Sequence, residues 1–307
     1  MFIMIREEGS TQKLFIIYNP FAAFGRAKKL LPKIEAAFRQ KQIQTEIKLT
    51  EYPKHAIEIM AGIDFSQYDG IAVVGGDGTL FEVINGYFKN QSQKKIPLGV
   101  IPIGTGNAFA RDLGLRTNDY LKAIDIIAKN NPLGTDVARF HTNEEDHYFI
   151  NILGMGFITD VQEVALKVKF LGNFSYTLGV LYQMIFLKRY NIKIEADGVV
   201  KEGKNIFIEI SNTRYTSNFL MAPNASFDDG YLDVTVLNPV SLYKMLTYFP
   251  SIFSGKHIYK KEIDSYKAKH IRIETETPRS LAPDGEVFGS SPVSIECLKR
   301  AIEIYRP

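Results

Sequence analysis

Among the 307 residues there is a single cysteine, Cys297. It excludes an intrachain disulfide framework and leaves no thiolate set for zinc. Histidine is nearly as scarce: His55, His141, His147, His257 and His270 are the whole supply, and no two have the spacing of a zinc motif. Charge of one sign is also missing. The net charge is +3 with no long basic block, which argues against a nucleic-acid partner. Nor is there a hydrophobic run of bilayer length. The stretch 174–187 comes nearest, but its roughly 14 residues include Ser175, Tyr176 and Gln183, short of the roughly 20 needed to span. The apolar residues 1–5 are cut off by Arg6, Glu7 and Glu8, unlike an export signal. A cytoplasmic, reduced protein is expected. With 45% hydrophobic and 23% charged residues, the chain is globular and long enough for two domains.

What is present begins with alternation. Apolar 14–18 reads as a strand buried on both faces and ended by Asn19-Pro20. Ala27, Leu30, Leu31, Ile34, Ala37 and Phe38 form the stripe of a helix, which Pro32 should kink or interrupt. Strands follow at 44–50, 70–74 and 98–102, with a helix at 55–61. Thr79 is placed to cap a helix presenting Leu80, Val83, Ile84 and Tyr87; Asn118 or Asp119 starts another with Leu121, Ile124 and Ile127 inward. This order predicts an α/β domain over 1–135 with a parallel sheet covered on both faces. Ligands bind such sheets beyond the carboxyl ends of the strands. Asn19, Gly75 to Thr79 and Gly104 to Asn107 should gather there.

Near residue 135 the pattern changes. Short strand candidates follow at 148–153, 191–196, 205–210, 231–237, 270–275 and 293–297, interrupted by helical stretches at 162–187 and 241–253. Residues 136–307 are therefore expected to form an antiparallel β-sandwich with a helical insertion.

Four clusters suggest chemistry. Gly75, Gly76, Asp77, Gly78 and Thr79 follow a strand and precede a helix, so free backbone N–H groups there can face phosphate oxygens. Asp77 in so anionic a setting makes sense with a cation between it and the phosphates. In Gly104-Thr105-Gly106-Asn107, Thr105 and Asn107 can donate to phosphate or hold the neighbouring loop; Asn19 can do either, with Pro20 stiffening its turn. Asp228-Asp229-Gly230 and Asp284-Gly285-Glu286 read as hairpin turns with solvated carboxylates, or as what magnesium and an alcohol-activating base require. Aromatic residues collect in the two helical stretches: Tyr176, Tyr182, Phe186, Tyr243, Tyr248, Phe249 and Phe253. They pack a core or line a slot for an acyl chain.

Taken in order, Asn19-Pro20, the Gly75–Thr79 turn, the 104–111 stretch and the two acidic turns resemble the soluble diacylglycerol, sphingoid-base and related lipid kinases. Their catalytic domain is akin to those of phosphofructokinase and NAD kinase, which implies a Rossmann-like first domain. The resemblance implies ATP in the interdomain cleft against Asn19, Pro20, Thr50, Gly75, Gly76, Asp77, Gly78, Thr79, Glu82, Gly104, Thr105 and Asn107. It implies Glu286 as general base with Asp284 beside it, and Asp77 and Asp228 in a water-bridged network with them around catalytic Mg2+. A second, structural Mg2+ is implied at Asp229 with backbone oxygens of Ser226 and Tyr231. It further implies a membrane lipid acceptor, transient bilayer contact without a spanning segment, and a homodimer. Two positions depart from the family pattern: Ala23 and Lys54 stand where glycine is usual. Asn107 is followed by Ala108, a feature that leans toward sphingoid-base kinases. The expected reaction is transfer of the γ-phosphate of ATP to a lipid hydroxyl. An NAD kinase would share the Gly75–Thr79 turn, but the chain offers no clear second nucleotide motif. A non-catalytic nucleotide or lipid sensor is the other alternative. A dinucleotide oxidoreductase fits less well, because the first strand runs into Asn19-Pro20 and not a Gly-x-Gly-x-x-Gly turn.

Overall fold

The structure is a computed structural model that describes residues 11–142, 145–167, 179–180, 182–183 and 187–307. Tyr176, Phe186 and most of the expected 162–187 helix lie outside the described residues. The chain divides into two compact units. One holds 1–104, 115–133 and 303–307, and the other 105–114 and 134–302.

In the first unit, β1 (Lys13–Tyr18), β2 (Gln44–Leu49), β3 (Gly70–Gly75) and β4 (Leu98–Pro102) form a parallel sheet in the order β2-β1-β3-β4. Ile16 lies beside Ile47 on one side and Ala72 on the other, and Val73 beside Val100. Every residue of β3 is buried, which explains why that strand shows no polar alternation. Four helices accompany these strands: α1 (Arg26–Gln40), α2 (His55–Gly62), α3 (Asp77–Lys89) and, after the 105–114 segment, α5 (Tyr120–Ala128). Three expectations are corrected. Helix α1 runs unbroken through Pro32, which sits on its exposed face where solvent takes the carbonyl that proline leaves unpaired. Thr79 is not a cap: α3 starts at Asp77 after extended Gly76, and Thr79 is buried in its first turn. Leu121 is 55% exposed, whereas Ile124 and Ile127 are buried.

The second unit contains α4 (Ala108–Asp112) and a two-layer β-sandwich. One layer pairs β5 (Pro132–Thr142) with β6 (Glu145–Phe149), and runs through β15 (Val293–Tyr305), β13 (His270–Thr275), β8 (Tyr190–Ala196) and β9 (Val199–Asn205). The other orders β12 (Ile263–Ala268), β11 (Leu232–Leu237), β10 (Phe207–Ser211), β7 (Ile152–Gly156) and β14 (Leu281–Pro283), all antiparallel. Phe140, Phe149, Ile194 and Ile273 of the first layer meet Met155, Ile208, Ile210 and Val234 of the second in one core. The outer face of the second layer carries Phe207 and a separate apolar cluster with α6 (Phe157–Lys167), a helix α7 at Leu242–Tyr248, and 3-10 turns at Phe249–Ser254 and Lys256–Tyr259. Ser241 caps α7 by accepting the Lys244 N–H at 3.3 Å. Among the described residues no helix is long and apolar enough to cross a membrane.

Candidate functional site

The loops at the carboxyl edge of the first unit's sheet are stitched together by their own backbone. The Gly75 carbonyl accepts N–H bonds from Ile103 (2.9 Å) and Gly104 (3.0 Å), joining the turns after β3 and β4. The Asn19 N–H donates to the Val74 carbonyl (2.9 Å) and the Thr50 N–H to the Tyr18 carbonyl (2.8 Å). Asn19 does more: its Nδ2 donates to Thr79 Oγ1 at 2.9 Å, and its Oδ1 accepts the Phe21 N–H at 3.0 Å. Asn19, Thr50, Gly75 to Thr79 and Gly104 are thus brought to one edge, as the strand order requires.

Glycine at 75 has a specific cause. A Cβ there would stand 2.5 Å from Thr79 Oγ1 and 2.6 Å from Thr79 Cβ, so the turn closes only without one. The first intrahelical bond of α3 is Leu80 N–H to the Gly76 carbonyl, 3.1 Å. The N–H groups ahead of Leu80 lie at the N-terminal end of a 13-residue helix, the kind of position at which anions bind. That end suits the phosphates of a nucleotide. Glu82 has another task. Its two oxygens accept the N–H groups of Lys54 (2.8 Å) and Ala56 (3.2 Å), fastening the start of α2. Lys54 itself has φ +70°, and Ala23 has φ +50°. Both side chains occupy left-handed backbone that favours glycine.

Thr105 and Asn107 belong to the second unit, Thr105 exposed and Asn107 buried at φ +54°. Helix α4 is tied there by Asp112, whose carboxylate accepts the Arg214 N–H at 2.8 Å and its guanidinium Nε–H. Phe109 packs on Phe227 with ring centroids 5.7 Å apart.

Both acidic turns lie in the second unit, and each is held by a buried carboxylate. Asp284 accepts N–H bonds from Ile150 (3.1 Å), Asn151 (2.8 Å) and Ile152 (3.0 Å), while its own N–H donates to the Ile152 carbonyl. These bonds break the expected 148–153 strand into β6 and β7. They also fix a left-handed turn through Asp284 (φ +47°) and Gly285 (φ +86°), from which Glu286 projects exposed. Asp136 does the same for the other turn, accepting the N–H groups of Gly230 (2.6 Å) and Arg300 (2.7 Å). Asp228 accepts the Ser226 hydroxyl at 2.7 Å. Nothing in the sequence singles out Asp136; the one local signal is a carboxylate just ahead of apolar Val137-Ala138.

The metal ligands fit unevenly. Both oxygens of Asp229 already have partners: Oδ1 accepts the Tyr231 N–H at 2.9 Å and Oδ2 meets the Lys267 ammonium at 2.6 Å. Lys267 also lies 3.2 Å from Asp233. The one carboxylate expected to bind a structural Mg2+ with the backbone oxygens of Ser226 and Tyr231 is thus ion-paired with Lys267, both side chains being about one-third exposed. Asp284, with three backbone donors on it, is a positioning residue more than a ligand. Among the described residues no group of three or more His, Cys, Asp or Glu side chains is arranged to hold a metal. A single carboxylate beside phosphates, as Asp77 would supply at the start of α3, remains compatible with Mg2+, which keeps much of its water.

Residues 13–140 match the family model of the diacylglycerol kinase catalytic domain, and 151–306 that of the YegS C-terminal NAD kinase beta sandwich-like domain. A diacylglycerol kinase from Staphylococcus carnosus (strain TM300) is 32% identical over 296 residues, covering 95% of this chain and 94% of the relative. One from Bacillus subtilis (strain 168) is 30% identical over 295 residues, covering 95% of each. The crystal structure of a diacylglycerol kinase from Bacillus anthracis str. Sterne matches with a TM-score of 0.74 at 25% identity, covering 98% of both chains. A further crystal structure from that organism matches with a TM-score of 0.81 at 29% identity, covering 98% of this chain and 99% of the other.

Proposed function

The chain belongs to the diacylglycerol kinase family and is a kinase, and on that premise we propose that it moves the γ-phosphate of ATP to the hydroxyl of a membrane lipid. A diacylglycerol is the first choice of acceptor and a sphingoid base the second. The observation that carries the reading is the turn at Glu286: three backbone donors on Asp284 hold it, so an exposed carboxylate is presented from a fixed position.

In this reading Glu286 takes the proton of the lipid hydroxyl. The oxygen bonds to the γ-phosphorus as its bond to the bridging oxygen breaks, and ADP leaves with that electron pair. Backbone N–H groups of Gly76 to Thr79 at the start of α3 offset charge on the phosphate oxygens. Asn19 keeps Thr79 and the first loop in register with them. Asp228 belongs to the polar network around the transferring phosphate. Mg2+ accompanying ATP would be held by Asp77 and the nucleotide's own phosphates, and would supply further charge neutralisation there. A structural Mg2+ at Asp229 with the backbone oxygens of Ser226 and Tyr231 would take the place that the Lys267 ammonium holds on that carboxylate.

The assignment of residues 1–135 to ATP and 136–307 to the acidic groups and the lipid is part of the same proposal. So are a cytoplasmic site of action, a homodimer and transient contact with a bilayer. Exposed Tyr243, Leu246, Phe253 and Tyr259 beside exposed Lys256 and Lys261 suit that contact. Failure to pellet with anionic vesicles would remove it from the proposal.

The direct test is transfer of radiolabel from ATP to a dispersed diacylglycerol by wild type and Glu286→Gln, with ATP binding measured in parallel. Loss of about 10²–10⁴-fold in turnover with ATP binding kept supports the base assignment. Near-normal turnover by the variant rejects it. Phosphorylation of NAD without any lipid product would replace the reading altogether.

A further inference from the structure

Between the outer face of the second unit's β7–β10–β11 layer and its helical cover lies a cavity of about 70 Å3. Its walls are almost wholly apolar, with Phe157, Val161, Phe207, Met221, Met245 and Ile252 among them. One wall residue does not belong to that chemistry. Glu209 of β10 is 1% exposed, on the strand face that also carries Phe207. Its Oε1 accepts hydroxyl hydrogens from Ser211 (3.1 Å) and Thr216 (2.9 Å). Its Oε2 is buried and has no partner among the described residues.

The other polar groups around the cavity are the Thr216 hydroxyl, the Tyr248 phenol and the His257 imidazole, and among the described residues no lysine or arginine lines it. The His257 ring lies with Nε2 at 3.0 Å from the Met221 carbonyl, to which it can donate. A carboxylate with two hydroxyl donors and no counter-cation is poorly solvated. Burial pushes the Glu209 carboxyl up to about 7. Near neutrality it keeps its proton for much of the time, and the unpartnered oxygen is then an O–H donor.

A purely hydrocarbon ligand would leave that donor orphaned. A phosphate would meet a carboxyl group and no cation. An ammonium head would create a buried ion pair braced only by two hydroxyls, a costly arrangement. An ester carbonyl is an uncharged acceptor flanked by methylenes, and it matches both the donor and the walls. We propose that Glu209 is a specificity determinant for the lipid substrate: as a carboxylic acid, it donates a hydrogen bond from Oε2 to an ester carbonyl of a neutral acylglycerol seated in this cavity. The inference rests on the lipid-kinase reading. The cavity is several times the ~10–15 Å3 that a water needs, yet it is far too small for a whole acyl chain. Binding therefore requires the cover formed by α7 and the following 3-10 turns to lift.

The test compares dioctanoylglycerol with its dioctyl ether analogue, which has the same hydroxyl and chains but no carbonyl. Binding to the whole chain is followed by calorimetry without ATP, and phosphorylation of each is measured separately. Wild type should bind the ester about tenfold more tightly, the ratio expected for one hydrogen bond of ~1.4 kcal/mol. Glu209→Gln keeps a donor and should keep the preference; Glu209→Leu should bring the ratio to about one. A structural role for Glu209 would weaken both ligands alike and leave the ratio unchanged. Equal affinity for ester and ether in wild type overturns the proposal without need of any variant. So does a preference that survives in Glu209→Leu, or a preference for sphingosine that is lost in Glu209→Gln. Ester preference without phosphate transfer supports the cavity assignment while refuting the kinase reading; transfer without preference does the reverse.

Discussion

Replacing Glu209 by glutamine should change how the stability of the second unit depends on pH. Glu209 titrates near 4.5 when solvated and near 7 in the fold, raised by burial. At pH 4 the carboxyl is protonated in both states and exerts no pH-dependent effect. Between about 4.5 and 7 the unfolded chain releases its proton while the folded chain retains it. The unfolded state then binds fewer protons, so stability falls as pH rises. Above about 7 both states are ionised and the loss is complete. The step from 4.5 to about 7 corresponds to about 3 kcal/mol. Glutamine occupies nearly the same volume and cannot ionise. Its stability relative to wild type should therefore improve by about 3 kcal/mol between pH 4 and pH 8. His257 is shifted downward by its own burial; together with Tyr248, Ser211 and Thr216 it is present in both proteins and cancels in the difference. Urea titrations at pH 4, 5.5, 7 and 8, following the transition of the second unit, read the effect. A difference that stays constant within about 0.5 kcal/mol across that range would refute the argument.

Ala23→Gly and Lys54→Gly should each stabilise the first unit by up to about 1 kcal/mol. Relief of left-handed strain, about 1–2 kcal/mol, outweighs the added freedom of glycine in the unfolded chain; a lower urea midpoint for either variant contradicts this. Gly75→Ala forces a methyl group against Thr79 and should cost about 1–3 kcal/mol and weaken ATP binding. Unchanged nucleotide affinity by calorimetry would show that the turn is not the phosphate cradle. Asp284→Asn replaces one accepting oxygen by a donor that faces backbone N–H groups, and should cost about 2–4 kcal/mol with a fall in kcat. An unaltered thermal midpoint would sink the positioning role.

The parallel sheet was legible because its strands are short and separated by amphipathic helices; β1, β3 and β4 are largely apolar, β3 most plainly, whereas β2 is mostly polar. The turn at Gly75 was legible as well, since a strand ending in three glycines and one carboxylate has few other uses. Harder to see were the groups whose roles depend on partners remote in sequence. Asp136 lies 94 residues from Gly230, and Asp284 lies 132 residues from Ile152; each reads locally as an ordinary polar residue. Thr79 had the chemistry of a cap, but the helix starts two residues earlier, with extended Gly76 at the cap position and Thr79 buried in the first turn. Asp229 has the chemistry of a metal ligand, and nothing local reveals that Lys267, 38 residues on, would pair with it. Glu209 was read as part of an ordinary strand, for alternation cannot tell that the outward face of β10 is covered.

The central claim is that this chain phosphorylates a lipid hydroxyl. Purified protein given ATP labelled with ¹⁸O in the γ-phosphate and a mixture of diacylglycerol, monoacylglycerol, sphingosine, ceramide, phosphatidylglycerol and NAD tests it by mass spectrometry of the products. Labelled phosphate is expected on one lipid, an acylglycerol foremost, and none on NAD. Labelled NADP, or an unlabelled lipid fraction with ATP consumed, would contradict it.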